Sequence, residues 1–155
     1  MTAITMTSKP TLTLSHFFPY QLTKLQASIS ESIAQIYTGK FNLSRQEWRV
    51  LATLADRAPQ TAKQIGSEVN LDKMSASRAI QRMLSKQLLK RIENTSDKRS
   101  FLLELSVKGQ QLYQQLEPLV LERETQLLSV LTPDEQQALN QMMAKLQAKA
   151  SSITQ

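Results

Sequence analysis

The chain has 155 residues, with 19 Lys and Arg against 13 Asp and Glu, a formal net charge of +6. One His and no Cys exclude a disulfide framework, a thiol nucleophile or sensor, and a Cys-type or multi-His metal centre. No run approaches the roughly 20 apolar residues of a bilayer span, and Met1–Leu14 lacks the basic-then-apolar order of a secretion signal. The expectation is one compact cytoplasmic domain, helical because glycines and aromatics are few.

The first apolar pattern is Leu22, Leu25, Ile29, Ile33 and Ile36. Its spacing of three and four predicts one face of a helix. Phe17 and Phe18 extend the stripe backwards. Pro19 suits the first turn, where a missing N–H costs little, and Gly39 stops the helix. Three later helix starts carry capping boxes: Ser44 with Glu47, Thr61 with Gln64, and Thr132 with Glu135. The first opens a helix over 46–57 with Trp48, Val50, Leu51 and Leu54 as its apolar residues, ended by Ala58 and Pro59. The second opens a short helix to about Val69, after which Asn70 suits a left-handed turn. Gly66 inside that helix costs about 1 kcal/mol relative to alanine, and a close helix crossing would account for it.

Asp72 caps a fourth helix, from Lys73 to about Lys86. At 100° per residue, Ala76, Ala79, Ile80, Met83 and Leu84 fall on one side. Met74, Arg78, Gln81, Arg82 and Ser85 fall on the other, flanked by Ser75 and Ser77. The period then changes. Leu88–Ile92 and Phe101–Leu105 predict two strands, and the polar run 93–100 between them predicts the tip of a hairpin. A helix from about Val107 carries Leu112, Leu116, Leu119, Val120, Leu127 and Leu128, with Pro118 expected to kink it. The last helix, Pro133 to about Ala150, carries Leu139, Met142, Met143 and Leu146. The tails Met1–Thr13 and Ser151–Gln155 are expected to fray.

Residues 72–100 hold eight Lys and Arg against three acids, whereas 101–155 hold four against six. A concentrated basic segment suits a polyanion, because each neutralised phosphate releases counterions. The plainer reading is a solvated basic face, and the pattern inside the segment separates the two. A helix pair with a tight turn, its second helix polar on one side, fits a major groove. Arg78 and Arg82 suit guanine edges or phosphates, Gln81 suits adenine, and Ser75 and Ser77 suit either. The charged hairpin tip suits a minor groove or the backbone beside it.

The run Leu71-Asp72-Lys73-Met74-Ser75-Ala76-Ser77-Arg78, the run Leu84-Ser85-Lys86-Gln87-Leu88-Leu89-Lys90-Arg91 and above all Asp97-Lys98-Arg99 resemble the multiple antibiotic resistance regulator (MarR) family. These are winged helix-turn-helix transcription factors, and the resemblance runs from about His16 to Leu146. Ser106-Val107-Lys108-Gly109 resembles the opening of the family's fifth helix. Gln87 stands where a glycine is common, which predicts a strained turn.

The resemblance implies a mainly α fold with a small β-hairpin wing. It implies an N-terminal arm and dimerisation helix (1–40), a winged helix-turn-helix (41–105) and C-terminal dimerisation helices (106–155). A homodimer on palindromic double-stranded DNA is the implied assembly, and repression the implied effect. The DNA contacts would be Lys73, Met74, Ser75, Ser77, Arg78, Gln81, Arg82, Lys98 and Arg99, with Asp97 orienting the wing. Members of the family often bind an aromatic acid in a crevice between the dimerisation helices and the DNA-binding lobe. Here Arg49 would pair a carboxylate, Trp48 would stack, and His16 or Tyr20 would hydrogen-bond. The plainer reading puts Trp48 in the core, Arg49 in a salt bridge and His16 at a frayed helix start. No cofactor or metal is expected. No Ser–His–Asp set, phosphate loop or carboxylate pair points to catalysis. The alternative to a specific repressor is a non-specific architectural DNA binder.

Overall fold

The structure, a computed structural model, describes residues 12–153. A 3-10 turn, Leu14–His16, precedes α1 (Phe18–Thr38), α2 (Arg45–Asp56), β1 (Gln60–Thr61), α3 (Ala62–Glu68) and α4 (Lys73–Ser85). Then come β2 (Leu89–Glu93), β3 (Phe101–Leu105), α5 (Val107–Leu128) and α6 (Pro133–Ile153). The architecture is a winged helix-turn-helix with long helices at both ends.

Local chemistry sets the helix starts. At α2 the Glu47 N–H donates to Ser44 Oγ at 3.2 Å, and the Ser44 N–H donates to Glu47 Oε2 at 2.7 Å. The boxes at Thr61 and Thr132 close in the same reciprocal way. Asn70 takes the left-handed turn with φ 53°. A Cβ built on Gly66 would lie 3.2 Å from the Ala76 Cβ, so the α3–α4 crossing is as close as the glycine suggests.

The wing hairpin pairs Leu89 with Leu105 through to Glu93 with Phe101. It belongs to a three-stranded antiparallel sheet of order β1-β3-β2, in which Gln60 faces Leu103 and Thr61 faces Leu102. The extra strand β1 departs from the expected two-stranded hairpin. Two residues are too few to show a period, and Thr61 also serves as the cap of α3.

One core joins the helices to the sheet. It gathers Val50, Leu51 and Leu54 of α2, Ile65 of α3, and Ala79, Ile80 and Met83 of α4. Leu89, Leu103 and Leu105 come from the sheet, Ala34 and Tyr37 from α1, and Leu116 from α5. Each fully buried Leu, Ile or Met is worth roughly 1.5–3 kcal/mol. Trp48 is half-buried in a stack of three rings. Its centroid lies 5.6 Å from Tyr37 on α1 and 6.4 Å from Tyr113 on α5, with interplanar angles of 14° and 12°. The stack ties α2 to both terminal helices.

One expectation about the C-terminal helices needs correction, the fraying of the last residues. Helix α5 continues through Pro118 without interruption. Pro118 and Gln114 are exposed, so water can meet the Gln114 carbonyl that the proline leaves without a donor. Residues Ser151–Ile153 are helical rather than frayed, as the last turn of α6. Residues 1–11 and 154–155 of the expected tails lie outside the described residues.

The terminal helices leave apolar side chains in solvent. Leu22 and Leu25 of α1, Leu121 and Leu127 of α5, and Met142, Met143 and Leu146 of α6 are all exposed, and α6 has no buried residue. No described helix is long and apolar enough to cross a membrane.

Candidate nucleic-acid interface

Helix α4 divides as its sequence predicts. Ala76, Ala79, Ile80 and Met83 are buried, while Lys73, Met74, Ser77, Arg78, Gln81 and Arg82 are exposed and Ser75 is half-buried. The helix starts where it does because Asp72 Oδ1 accepts the Ser75 N–H at 2.9 Å. Hydrogen bonds from Ser75 hold the Asp72 carboxyl below its ordinary pKa. Lys73, Arg78 and Lys98 enter no ion pair among the described residues. Three unpaired cations thus stand on α4 and the wing tip.

The wing tip is built around Asp97 and Asn94. Asp97 Oδ1 accepts both the Arg99 backbone N–H at 3.1 Å and Arg99 Nε at 3.3 Å. Asn94 Oδ1 accepts the N–H groups of Ser96 and Asp97 at 3.1 and 3.2 Å, and its Nδ2 donates to Ser100 Oγ at 2.9 Å. This leaves the Arg99 side chain 93% exposed while its base is held. Such a pair is worth little as stability at the surface. Its effect is to limit the directions the guanidinium can take.

Helix and wing share one surface. A cleft of about 380 Å³ between them is lined by Ser77 and Gln81 of α4 and by Arg91, Asp97 and Phe101 of the wing. Of the predicted residues, the cleft brings together Ser77 and Gln81 of α4 and Asp97 of the wing. Arg91 stacks over Phe101, its guanidinium carbon 5.4 Å from the ring centroid. At the base of the wing, Lys90 and Glu104 pair across the strands in register.

Arg82 is placed differently from Arg78. Its Nε lies 3.6 Å from Glu47 Oε1, on the side of α4 that meets α2. Lys86 Nζ donates to the same Glu47 Oε1 at 2.9 Å and to the Asn42 carbonyl at 2.9 Å. Burial acts to raise the Glu47 pKa. The Ser44 N–H and the Lys86 ammonium outweigh it, so the carboxyl lies below its ordinary value.

The four residues of the expected effector crevice are not assembled within one chain. Tyr20 and Tyr37 lie on the same helix, about 25 Å apart at 1.5 Å per residue. Trp48 stacks on Tyr37, so Tyr20 and the neighbouring His16 sit at the opposite end of α1. Arg49 is half-buried on α2 and forms no ion pair among the described residues.

Asn94, Arg91 and Glu47 are site features that sequence reasoning missed. Asn94 had a signal, as the first side-chain acceptor of a polar turn. Glu47 shows in the sequence only as a capping partner, and nothing local announces its second role toward α4.

The MarR family model matches residues 43–101, from the loop before α2 to the first residue of β3. YkoM of Bacillus subtilis (strain 168), an uncharacterized HTH-type transcriptional regulator, is 32% identical over 99 residues, 64% of each chain. The match thus spans less than two thirds of that relative's length. A MarR/EmrR family transcriptional regulator from Acinetobacter sp. ADP1 superposes with TM-score 0.82 at 26% identity, over 91% of this chain and 99% of that one. The transcriptional repressor CouR, solved on a 23-mer DNA duplex, superposes with TM-score 0.76 at 24% identity, over 86% and 94%. At that identity the CouR likeness is one of fold. With the family model on its helix-turn-helix and wing, and family structures superposing over nearly its whole length, the chain is similar to the MarR family of transcriptional regulators in that segment and in fold.

Proposed function

We propose that the chain is a homodimeric, sequence-specific DNA-binding repressor. One observation carries the reading. Ser77 and Gln81, which share the exposed face of α4 with unpaired Arg78, and Asp97, which holds the solvent-facing Arg99 at the wing tip, line the same cleft. That pairing suits a major groove for α4 and an adjacent minor groove or backbone for Arg99. Lys73 and Lys98 suit phosphates. Met74, Ser75, Ser77, Gln81 and Arg82 complete the surface. CouR, of the same fold, was solved on a DNA duplex, which supports duplex DNA as the partner. The exposed apolar residues of α1, α5 and α6 support a second copy as the partner, with two recognition helices roughly 34 Å apart on a palindrome.

The test is fluorescence anisotropy on a duplex that the protein selects from a random-sequence pool, against a scrambled duplex of equal length. A specific repressor prefers the selected duplex about a thousandfold or more. Equal binding to both would favour the architectural alternative.

Release by a small aromatic acid belongs to the same proposal. Arg49 supports it, as a half-buried arginine with no protein carboxylate paired to it among the described residues, next in sequence to the Trp48 stack. His16 and Tyr20 are too far along α1 to join Arg49 in the same protomer. If Arg49→Ala leaves the affinity of every releasing acid unchanged in a folded protein, the effector role of Arg49 is lost.

A further inference from the structure

Glu47 is a buried carboxylate whose charge no capping box requires, since a glutamine completes the same motif. Its side chain is 3% exposed. Oε2 serves the box by accepting the Ser44 N–H. Oε1 turns the other way, to Lys86 at 2.9 Å and to Arg82 Nε at 3.6 Å. Residues 82 and 86 are four apart, hence on one face of α4. One carboxylate of α2 therefore holds both cations on that face of the recognition helix. Lys86 also reaches the Asn42 carbonyl, which fixes the loop between α1 and α2 to the same point.

The geometry leaves Arg82 half-engaged. Its Nε faces Glu47, while the side chain as a whole is 50% exposed. A guanidinium has five donors in a rigid fork, so Nε can stay on one anion while the two terminal nitrogens meet another. A lysine has no such geometry.

We propose that Glu47 is a positioning residue of the DNA interface, aiming Arg82 so that its terminal nitrogens meet a DNA phosphate while Nε stays on Glu47. The proposal rests on the DNA-binding reading above. It makes Arg82 a register contact, distinct from Arg78, which carries no ion-pair partner among the described residues. An ordered cation fits a correctly docked backbone better than a shifted one. Glu47 therefore raises discrimination between duplexes more than it raises binding to any duplex.

The test uses the full-length protein, a duplex selected from a random pool by wild type, and a scrambled duplex. Glu47→Gln keeps the size and, through its carbonyl oxygen, the capping box; it removes the charge and turns an amide donor toward Lys86 and Arg82 in place of the acceptor. The expected result is an approximately tenfold loss of preference for the selected duplex, with scrambled-duplex binding equal or tighter. Arg82→Gln should lose a similar factor, and the double variant no more than either single one. Arg82→Lys should lose most of the same tenfold factor; its side chain is half-exposed, so the variant folds even if Glu47→Gln does not. The proposal is overturned if Glu47→Gln or Arg82→Lys keeps full preference. It is equally overturned if the two Gln variants are independent, or if Glu47→Gln weakens both duplexes alike along with a lower Tm. A wild-type protein that selects no sequence would instead overturn the DNA reading itself, and this proposal with it.

Discussion

Two kinds of arginine stand on this surface, and they should behave differently. Arg78 has no ion-pair partner among the described residues on the exposed face of α4, and a bidentate contact to a base edge is worth about 1–3 kcal/mol. Arg78→Ala should therefore relax sequence preference at one base position in each half-site, read by repeating selection with the variant. Arg99 is held at its base by Asp97 and is otherwise in solvent. Arg99→Ala should weaken all duplexes more evenly. It should also lower the slope of log affinity against log salt by about one for each phosphate that the arginine neutralises. Unchanged affinity in both variants would remove these residues from the interface. Gln87 is a separate case, with φ 60° in the turn between α4 and β2. A non-glycine residue there carries roughly 1–2 kcal/mol of strain, and glycine returns part of the gain as unfolded-chain entropy. Gln87→Gly should raise stability by about 0.5–1 kcal/mol in urea unfolding. The sequence made this turn legible, because glutamine stood where the family resemblance implied glycine.

The recognition helix is clamped at both ends. At its start Asp72 is charged to accept the Ser75 N–H, and its pKa is lowered. A group with a lowered folded pKa contributes stability above its ordinary pKa and loses it as pH falls through the folded value. Asn caps a helix about as well as Asp but does not titrate in that range. Asp72→Asn should therefore match wild type near pH 7 and lose less stability than wild type between about pH 5 and pH 3, measured by urea unfolding across that range. At the far end, α5 grips the turn after α4. Ser106 Oγ donates to the Gln87 carbonyl at 2.6 Å, and Lys108 Nζ donates to the Lys86 carbonyl at 2.8 Å. A Cβ on Gly109 would collide with the Leu88 carbonyl. Helix periods and caps were legible because each is written within a few residues. This clamp was not, because its partners are about twenty positions apart and meet only through the fold. Strand β1 escaped for a related reason, since its pairing to β3 spans some forty residues.

At the scale of the molecule, the same terminal helices that grip the DNA-binding lobe cannot bury themselves. The Trp48 stack and Leu116 attach α1 and α5 to the lobe. Beyond those points Leu22, Leu25, Leu127, Met142, Met143 and Leu146 remain in solvent. Fully burying a side chain of this size is worth roughly 1.5–3 kcal/mol, and these are about half covered already, so covering the rest adds about half of that each. The proposed second copy would satisfy them symmetrically and double the DNA contacts, as a palindrome requires. Charge placed in the stripes should separate assembly from folding, because these positions are not in the core of one chain. Leu25→Glu combined with Met143→Glu should give a folded monomer by sedimentation, with its near-ultraviolet Trp48 signal retained. That monomer should bind the selected duplex at least a hundredfold more weakly. Its salt slope should be about half that of the dimer, since half the phosphates are neutralised. A monomer that kept the full slope would mean that one lobe makes all the contacts, and the two-lobed docking on a palindrome would have to be abandoned.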